Sequence, residues 1–528
     1  MGRSVAPRRA SRFSVGRAAG LATAAWILGW SSTAVAAAPP PASSCLPSLT
    51  CAAPAPASAV VQFRARRQRI AGFGVATAMG AGEWFAHEPP AARARLLKLF
   101  FSPDAGAGFS MVRLEIGAGG GTGSPTIEPR PGVFSWVPLT LSRDNGQLLV
   151  LRGAQQLGVN QFLASAWSPP AWMKTGGSVS GGALAASKYA AYATYLTAYA
   201  NGYALHYGIP ITGISPASDP NEAASVSSDW SSTAYATFIA KNLGPSFLAH
   251  HVAARIVMPE QHTWTDALAA KTLALPAAAE RVGVVAAHGY ASGPSPLRDA
   301  EAAGKPFWQT EVSGEPGAAD DSILDGLRWA GSVDGYVSAG ASAWFWWQMV
   351  NEQSAATNGS GLVHLAQPLR TGVYSVAKRL WTIGNFSRFV RPGWYLVAAT
   401  HHPAPGVSLT AFADPLSGRF AIVAVNTAAV DQRVDVALRS TKATRVTPYV
   451  TSATLDLRPG SPVTVSRGDF RATLEAQSVT TFVNSTPAAA PAPAEPSADR
   501  IWFAGFGALA LLNFGFWLAT RRWHLGVF

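Results

Sequence analysis

Cysteine is almost missing from this chain: Cys45 and Cys51 are the only two in 528 residues, and both lie in a Pro/Ala-rich stretch near the N-terminus. That excludes a thiol nucleophile in the body, although an oxidising compartment would let the two close a short local loop. The histidines, among them His250-His251 and His401-His402, are scattered without ligand spacing, so neither a metal nor a cofactor is expected. No Gly-x-Ser-x-Gly elbow occurs, which argues against a serine hydrolase. The run Gly119-Gly120-Gly121-Thr122-Gly123 lacks a following Lys-Ser/Thr and the dinucleotide spacing, and reads as a mobile loop rather than a phosphate cradle. Acidic residues are too few to balance the basic ones, leaving a formal charge of +12. Yet Arg3, Arg8, Arg9, Arg12, Arg17, Arg521 and Arg522 place much of that excess at the two ends. The body shows no basic face of the kind nucleic-acid binding needs. No internal repeat is present.

What the chain has in quantity is apolar sequence, at 48% hydrophobic residues, enough for a large core and two or three domains. Five arginines and no acid precede an apolar run from Ala18 to Trp30, and Ala34-Val35-Ala36 offers small residues for cleavage. This is the pattern of a secretory signal peptide. At the other end, Ile501 to Thr520 is about 20 residues without a charge, long enough to span a bilayer. Arg521-Arg522 would then lie on the cytoplasmic side. The expected address is outside the membrane, either tethered by this helix or released if the tail is a sorting signal that is cut.

Between these ends, short β-branched and aromatic runs alternate with helical patterns over some 300 residues. Examples are Ile70 to Gly74, Ser110 to Gly117, Phe162 to Trp167, Ile211 to Ser215, Arg255 to Pro259, Val282 to His288 and Ala339 to Trp347. Such alternation predicts an α/β chain folded as a (β/α)8 TIM barrel. The run that starts at Lys305 ends in Glu311, and the C-terminal ends of barrel strands carry the active site. Asp219 follows a second such strand and Glu260 a third. Tyr189, Tyr192, Tyr195, Tyr199 and Tyr203 recur at helical spacing and read as a packing stripe. After Tyr374 the pattern changes to short alternating strands, such as Val407 to Phe412 and Phe420 to Asn426, which predict a β-sandwich.

Four segments carry a resemblance: Ile70 to Gly74, Trp167-Ser168-Pro169-Pro170-Ala171-Trp172-Met173-Lys174, Trp308-Gln309-Thr310-Glu311, and Phe386-Ser387-Arg388-Phe389-Val390-Arg391-Pro392-Gly393. Over roughly Gln68 to Val483 the chain resembles the bacterial xylanase-type members of glycoside hydrolase family 30. The resemblance implies a barrel with a β-sandwich assembled from an N-terminal strand and the C-terminal region, and retaining hydrolysis of β-glycosidic bonds by two carboxylates. The division that follows is a signal peptide at 1–36, a Pro/Ala leader at 37–59, the N-terminal strand at 60–69 and the barrel at 70–373. The sandwich then takes 374–484, a linker 485–500, the membrane or sorting helix 501–520 and a basic tail 521–528.

The resemblance further implies that Glu311 is the nucleophile and that Arg113, Trp167, His288, Tyr290 and Trp346 line the sugar cleft. Where family members carry Gln-Asn-Glu-Pro, this chain reads Ala217-Ser218-Asp219-Pro220. Ungapped, Asp219 is the acid/base and Ser218 replaces a sugar-binding Asn. The alternative is Asn221-Glu222, two residues later. Gln348-Met349-Val350-Asn351-Glu352 has no arginine where glucuronoxylanases bind a uronate branch, so a xylan, β-1,6-glucan or galactan is the expected partner. The competing reading is a carbohydrate-binding relative with weakened or lost catalysis.

Overall fold

The alternation of strand side chains accounts for the barrel. On eight short parallel strands, one set of residues points inward and the intervening set meets the helices. The strands are β2 (Gly72–Ala76), β3 (Met111–Glu115), β4 (Gln161–Ser165), β5 (Gly213–Ser215), β6 (Arg255–Thr263), β7 (Val282–Ala291), β8 (Phe307–Gln309) and β9 (Ala343–Trp346), following an outlying β1 (Ala57–Arg69). β2 to β9 pair in sequence order and close when β9 meets β2. Met111, Leu163, Val257, Val284, Ala286, Trp308, Ala343 and Phe345 form one buried cluster, the fill of the barrel interior. Gly74 is required there, since a Cβ would lie 2.2 Å from the Phe345 ring. In this computed structural model the described residues are 57–120, 125–136, 144, 146–314, 320–352 and 359–484.

The helix Tyr189–Tyr207 shows why the tyrosine stripe matters to the barrel mouth. Tyr192, Tyr195, Tyr199 and Tyr203 are buried. Their rings pack, and three of their hydroxyls donate to backbone carbonyls past or at strand ends: Tyr192 to Pro216 at 2.7 Å, Tyr195 to Gly117 at 2.5 Å and Tyr199 to Glu115 at 3.2 Å. Tyr235 does the same for Pro259 at 3.1 Å. Buried carbonyls need hydrogen-bond partners, so these phenols help to fix the loops after β3 and β5 and the irregular end of β6.

β10 (Gln348–Glu352), β11 (Gly361–Leu365) and β12 (Tyr374–Val376) form a small sheet beside the mouth, and the helix Lys378–Ser387 follows. The strand-rich domain therefore begins with β13 (Tyr395–Ala399), later than the switch expected after Tyr374. It continues with β14 (Val407–Ala413), β15 (Phe420–Asn426), β16 (Gln432–Arg439), β17 (Arg445–Thr451), β18 (Arg458–Pro459), β19 (Val463–Thr464), β20 (Asp469–Leu474) and β21 (Ser478–Val483). Its strands make one hydrogen-bonded sheet that includes β1. β1 runs antiparallel to β13 and parallel to β16, so what would be two layers of a sandwich are joined into a single curled sheet around its own apolar cluster.

The expected signal peptide, Cys45, Cys51, residues 37–56 of the leader, the linker and the Ile501 to Thr520 span lie outside the described residues, as do residues 121–124 of the glycine-rich loop; Ala57 to Ala59, expected in the leader, already belong to β1. Among the described residues no helix is long and apolar enough to cross a membrane.

Candidate active site

β5 is the fourth strand of the barrel and β8 the seventh, and the chain just beyond each brings a carboxylate to the same spot. Oxygens of Asp219 and Glu311 and a ring nitrogen of His288 all lie within 4.8 Å of one another. The expected candidates Asp219, Glu311, His288, Tyr290 and Arg113 are thus gathered in one cluster. These three ligand-type side chains could also hold a cation.

Arg113, on β3, is completely buried and organises the cluster. Its Nη1 donates to Glu311 Oε2 at 2.5 Å, its Nη2 to Ser218 Oγ at 2.7 Å, and its Nε to Glu260 Oε1 at 3.1 Å and to Ser165 Oγ at 3.2 Å. Burial opposes the charge of Arg113, but Glu260 and then Glu311 raise its pKa above the ordinary arginine value. Tyr290 donates to the other oxygen of Glu311 at 2.8 Å. Burial pushes the Glu311 carboxyl above the usual carboxylate range. Asp219 pushes the same way, while His288, Arg113 and Tyr290 pull back.

Asp219 has the opposite balance. Burial would raise it, but His288 Nδ1 at 2.8 Å and His262 Nδ1 at 3.4 Å from Oδ1 hold it below the usual range. His288 in turn is raised, because the pull of Asp219 and Glu311 exceeds the cost of burying its charge. His262 is raised as well, because the nearby Asp219 carboxylate outweighs its partial burial. Asp219 and Glu260 both sit at positive φ, 45° and 53°. Aspartate tolerates this conformation better than glutamate, so Glu260 is the more strained of the two.

Glu222, the alternative to Asp219, is exposed. Asn221 beside it is committed to its own turn, with Nδ2 donating to Trp230 O at 3.1 Å and Oδ1 accepting from Trp230 N at 2.9 Å. Ser218 is fully buried against Arg113.

Trp346 is the candidate that the structure removes from the cleft. It is fully buried, its Nε1 donates to Ser360 O at 2.6 Å, and its ring packs edge-on against Trp329 at 4.7 Å. Strand alternation explains the correction: Phe345 points into the barrel, so Trp344 and Trp346 point out toward the helices. Trp347, just past the strand, is half-buried with its ring 5.6 Å from Trp167. Arg113 lies 4.7 Å from the Trp167 ring. The Trp-Ser-Pro-Pro-Ala-Trp-Met-Lys run supports that ring: Lys174 Nζ donates to Ser168 Oγ at 2.9 Å and to Ser227 O at 2.5 Å, burial drawing its pKa down to about 8.

Sequence reasoning noted Glu260 as a strand end and Trp347 as the close of the last aromatic run but gave neither a role, and passed over His262. Glu260 carried the same signal as Glu311, a carboxylate closing an apolar run. His262 gave no signal of its own.

Residues 70–388 match the model of Glycosyl hydrolase family 59. The chain belongs to that family. It is a glycosidase, and the family 59 match runs across the whole barrel. Kinship with glycoside hydrolase family 30 stands beside it. The chain is 28% identical over 338 residues to the glucuronoxylanase XynC of Bacillus subtilis (strain 168), covering 61% of this chain and 73% of that protein. The catalytic domain of a family 30 xylanase C from Talaromyces cellulolyticus superposes with a TM-score of 0.69 at 26% identity, over 81% of this chain and 99% of that one. A family 30 subfamily 8 xylanase from Clostridium acetobutylicum shares the fold, with a TM-score of 0.66 at 24% identity over 81% and 99%.

Proposed function

We propose that the protein is a retaining β-glycosidase in which Glu311 attacks the anomeric carbon and Asp219 serves as acid and base, acting on xylan or a related β-linked polysaccharide. The observation that carries this reading is the placing of Asp219 and Glu311 beyond the fourth and seventh barrel strands with carboxylate oxygens within 4.8 Å. Retaining enzymes hold their carboxyl groups about 5 to 5.5 Å apart, whereas inverting enzymes leave room for a water. Arg113 and Tyr290 hold Glu311 by one oxygen each. They fix its orientation for attack and balance its charge.

Proton donation needs a protonated Asp219, yet His288 keeps that carboxyl ionised in the free enzyme. His288 Nδ1 lies 2.8 Å from Asp219 and 3.9 Å from Glu311. In this reading the imidazolium passes its proton to Asp219, which gives it to the leaving oxygen. The pair with His288, rather than Asp219 alone, titrates as the acid. A purely binding role finds no support in a site that keeps both carboxylates at reacting distance.

The curated relatives are named as glucuronoxylanases. In this chain Gln348, Met349, Val350 and Asn351 are buried and include no arginine, which supports a backbone without an obligatory uronate branch. Export by the N-terminal leader and tethering by Ile501 to Thr520 remain part of the proposal on sequence grounds. The test is reducing-sugar release from a panel of xylan, β-1,6-glucan and galactan, with NMR of the first-formed anomer. Release with retained configuration is expected. Inverted product, or binding without release, would overturn the reading.

A further inference from the structure

We propose that Glu260 is a positioning residue for this reaction: its buried carboxylate takes up part of the Arg113 charge, so that Arg113 can orient Glu311 without quenching it, while its backbone carbonyl sets Asp219. The inference rests on the reading in which Glu311 is the nucleophile. Glu260 is fully buried, with Oε1 3.1 Å from Arg113 Nε. Its other oxygen, Oε2, is also buried, and besides Arg113 the Ser165 and Ser215 hydroxyls and His288 help to hold the charge. Its carbonyl accepts from the Asp219 amide at 3.0 Å, across two residues that both hold positive φ. One residue is thus joined to both reacting residues, to the Glu311 carboxylate by its side chain through Arg113 and to the Asp219 amide by its backbone.

Stability does not account for this arrangement. A buried ion pair seldom repays its desolvation, and neutral hydroxyls offset only part of that cost. Charge balance does account for it. Arg113 faces two carboxylates, Glu260 and Glu311, and an arginine shared between two withdraws less from each than one committed to a single partner. The groups facing Glu311 are Arg113 from β3, His288 and Tyr290 from β7 and Asp219 beyond β5, with His262 of β6 farther out. Removing the Glu260 charge leaves Arg113 wholly to Glu311. The carboxylate is then easier to ionise and less nucleophilic.

Glu260→Gln keeps the shape and removes the charge. The acidic limb of its kcat/KM profile should move to lower pH by about one unit, and kcat on xylan should fall about 10- to 100-fold. Glu260→Asp, whose carboxylate is set back from Arg113, should show a smaller shift in the same direction and recover part of the rate. If Glu260→Gln does not fold, this graded shift in Glu260→Asp carries the test. An unshifted acidic limb in the folded variants overturns the proposal, as does equal loss of rate in both without any shift. Glu311→Gln is run alongside. If it keeps turnover, the nucleophile assignment itself falls; if it is inactive and the Glu260 variants keep the wild-type profile, only the role of Glu260 falls.

Discussion

At the barrel mouth Arg113 is fully buried between Glu260 at 3.1 Å and Glu311 at 2.5 Å, whereas on the curled sheet Arg471 meets Asp435 at 2.6 Å with 70% of its side chain in solvent. Arg439 and Asp469 repeat the exposed arrangement, at 3.1 Å with 53% and 57% exposure. The contacts are similar in length and differ in surroundings. Water screens the sheet pairs, which leaves them little to contribute. At the mouth Arg113, Glu260, His288 and Glu311 are buried, so each charge shifts the ionisation of its neighbours, and that coupling is what acid and nucleophile chemistry uses. Burying charge at the mouth costs stability, and reactivity is the return.

The comparison breaks most sharply at Glu311. Glu311→Gln should lose roughly 10³-fold or more in kcat while still folding and binding polysaccharide, because a nucleophile acts mainly in the transition state. Steady-state kinetics beside affinity electrophoresis decides it. Next in size, Asp219→Asn should lose about 10²- to 10⁴-fold on polysaccharide but far less on an activated aryl glycoside, whose leaving group needs little protonation. Glu222→Gln should match wild type on both substrates. The reverse pattern would move the acid to the exposed turn.

Ionisation supplies a third test. Glu311 must be ionised and its pKa is raised, so the acidic limb of kcat/KM should lie above the ordinary glutamate value of about 4.3. The His288–Asp219 pair must carry a proton and His288 is raised, so the basic limb should lie above the ordinary histidine value of about 6.5. A profile flat from pH 4 to 9 would remove this account. Smaller in its effect on rate, Trp346→Ala should cost about 3 to 5 kcal/mol of stability by opening a cavity in the core. Trp347→Ala should instead raise KM with the melting temperature nearly unchanged. On the sheet, Arg471→Ala should leave both melting temperature and activity where they are, measured by calorimetry and sugar release.

The barrel was legible because its strands are short apolar runs separated by helical patterns, and Glu311 because it closes one of them. Arg113, His288 and Tyr290 were found by resemblance, and the structure places them against the two carboxylates. Trp346 was misplaced because an aromatic-rich strand does not declare which face meets the helices; only the register against Phe345 does. Glu260 went unassigned because the need for a third carboxylate appears only once Arg113 is seen between two of them. That β1 joins the C-terminal strands was implied by the resemblance; its parallel pairing with β16, which links them into one curled sheet, was not legible, since it joins residues far apart in the chain.

That pairing has a consequence for how the protein is made. β1 lies between β13 and β16, so the first strand among the described residues fills a slot whose walls are synthesised more than three hundred residues later. The barrel can close on itself, since β2 and β9 need no partner from the sheet. The sheet cannot, and its apolar cluster stays open until β13 and the strands after it arrive. Non-local pairing of this kind is slow and leaves strand edges exposed while it waits. During synthesis β1 is therefore an unpaired edge carrying Arg64, Arg66, Arg67 and Arg69, and this run of like charge disfavours its pairing with a second nascent chain.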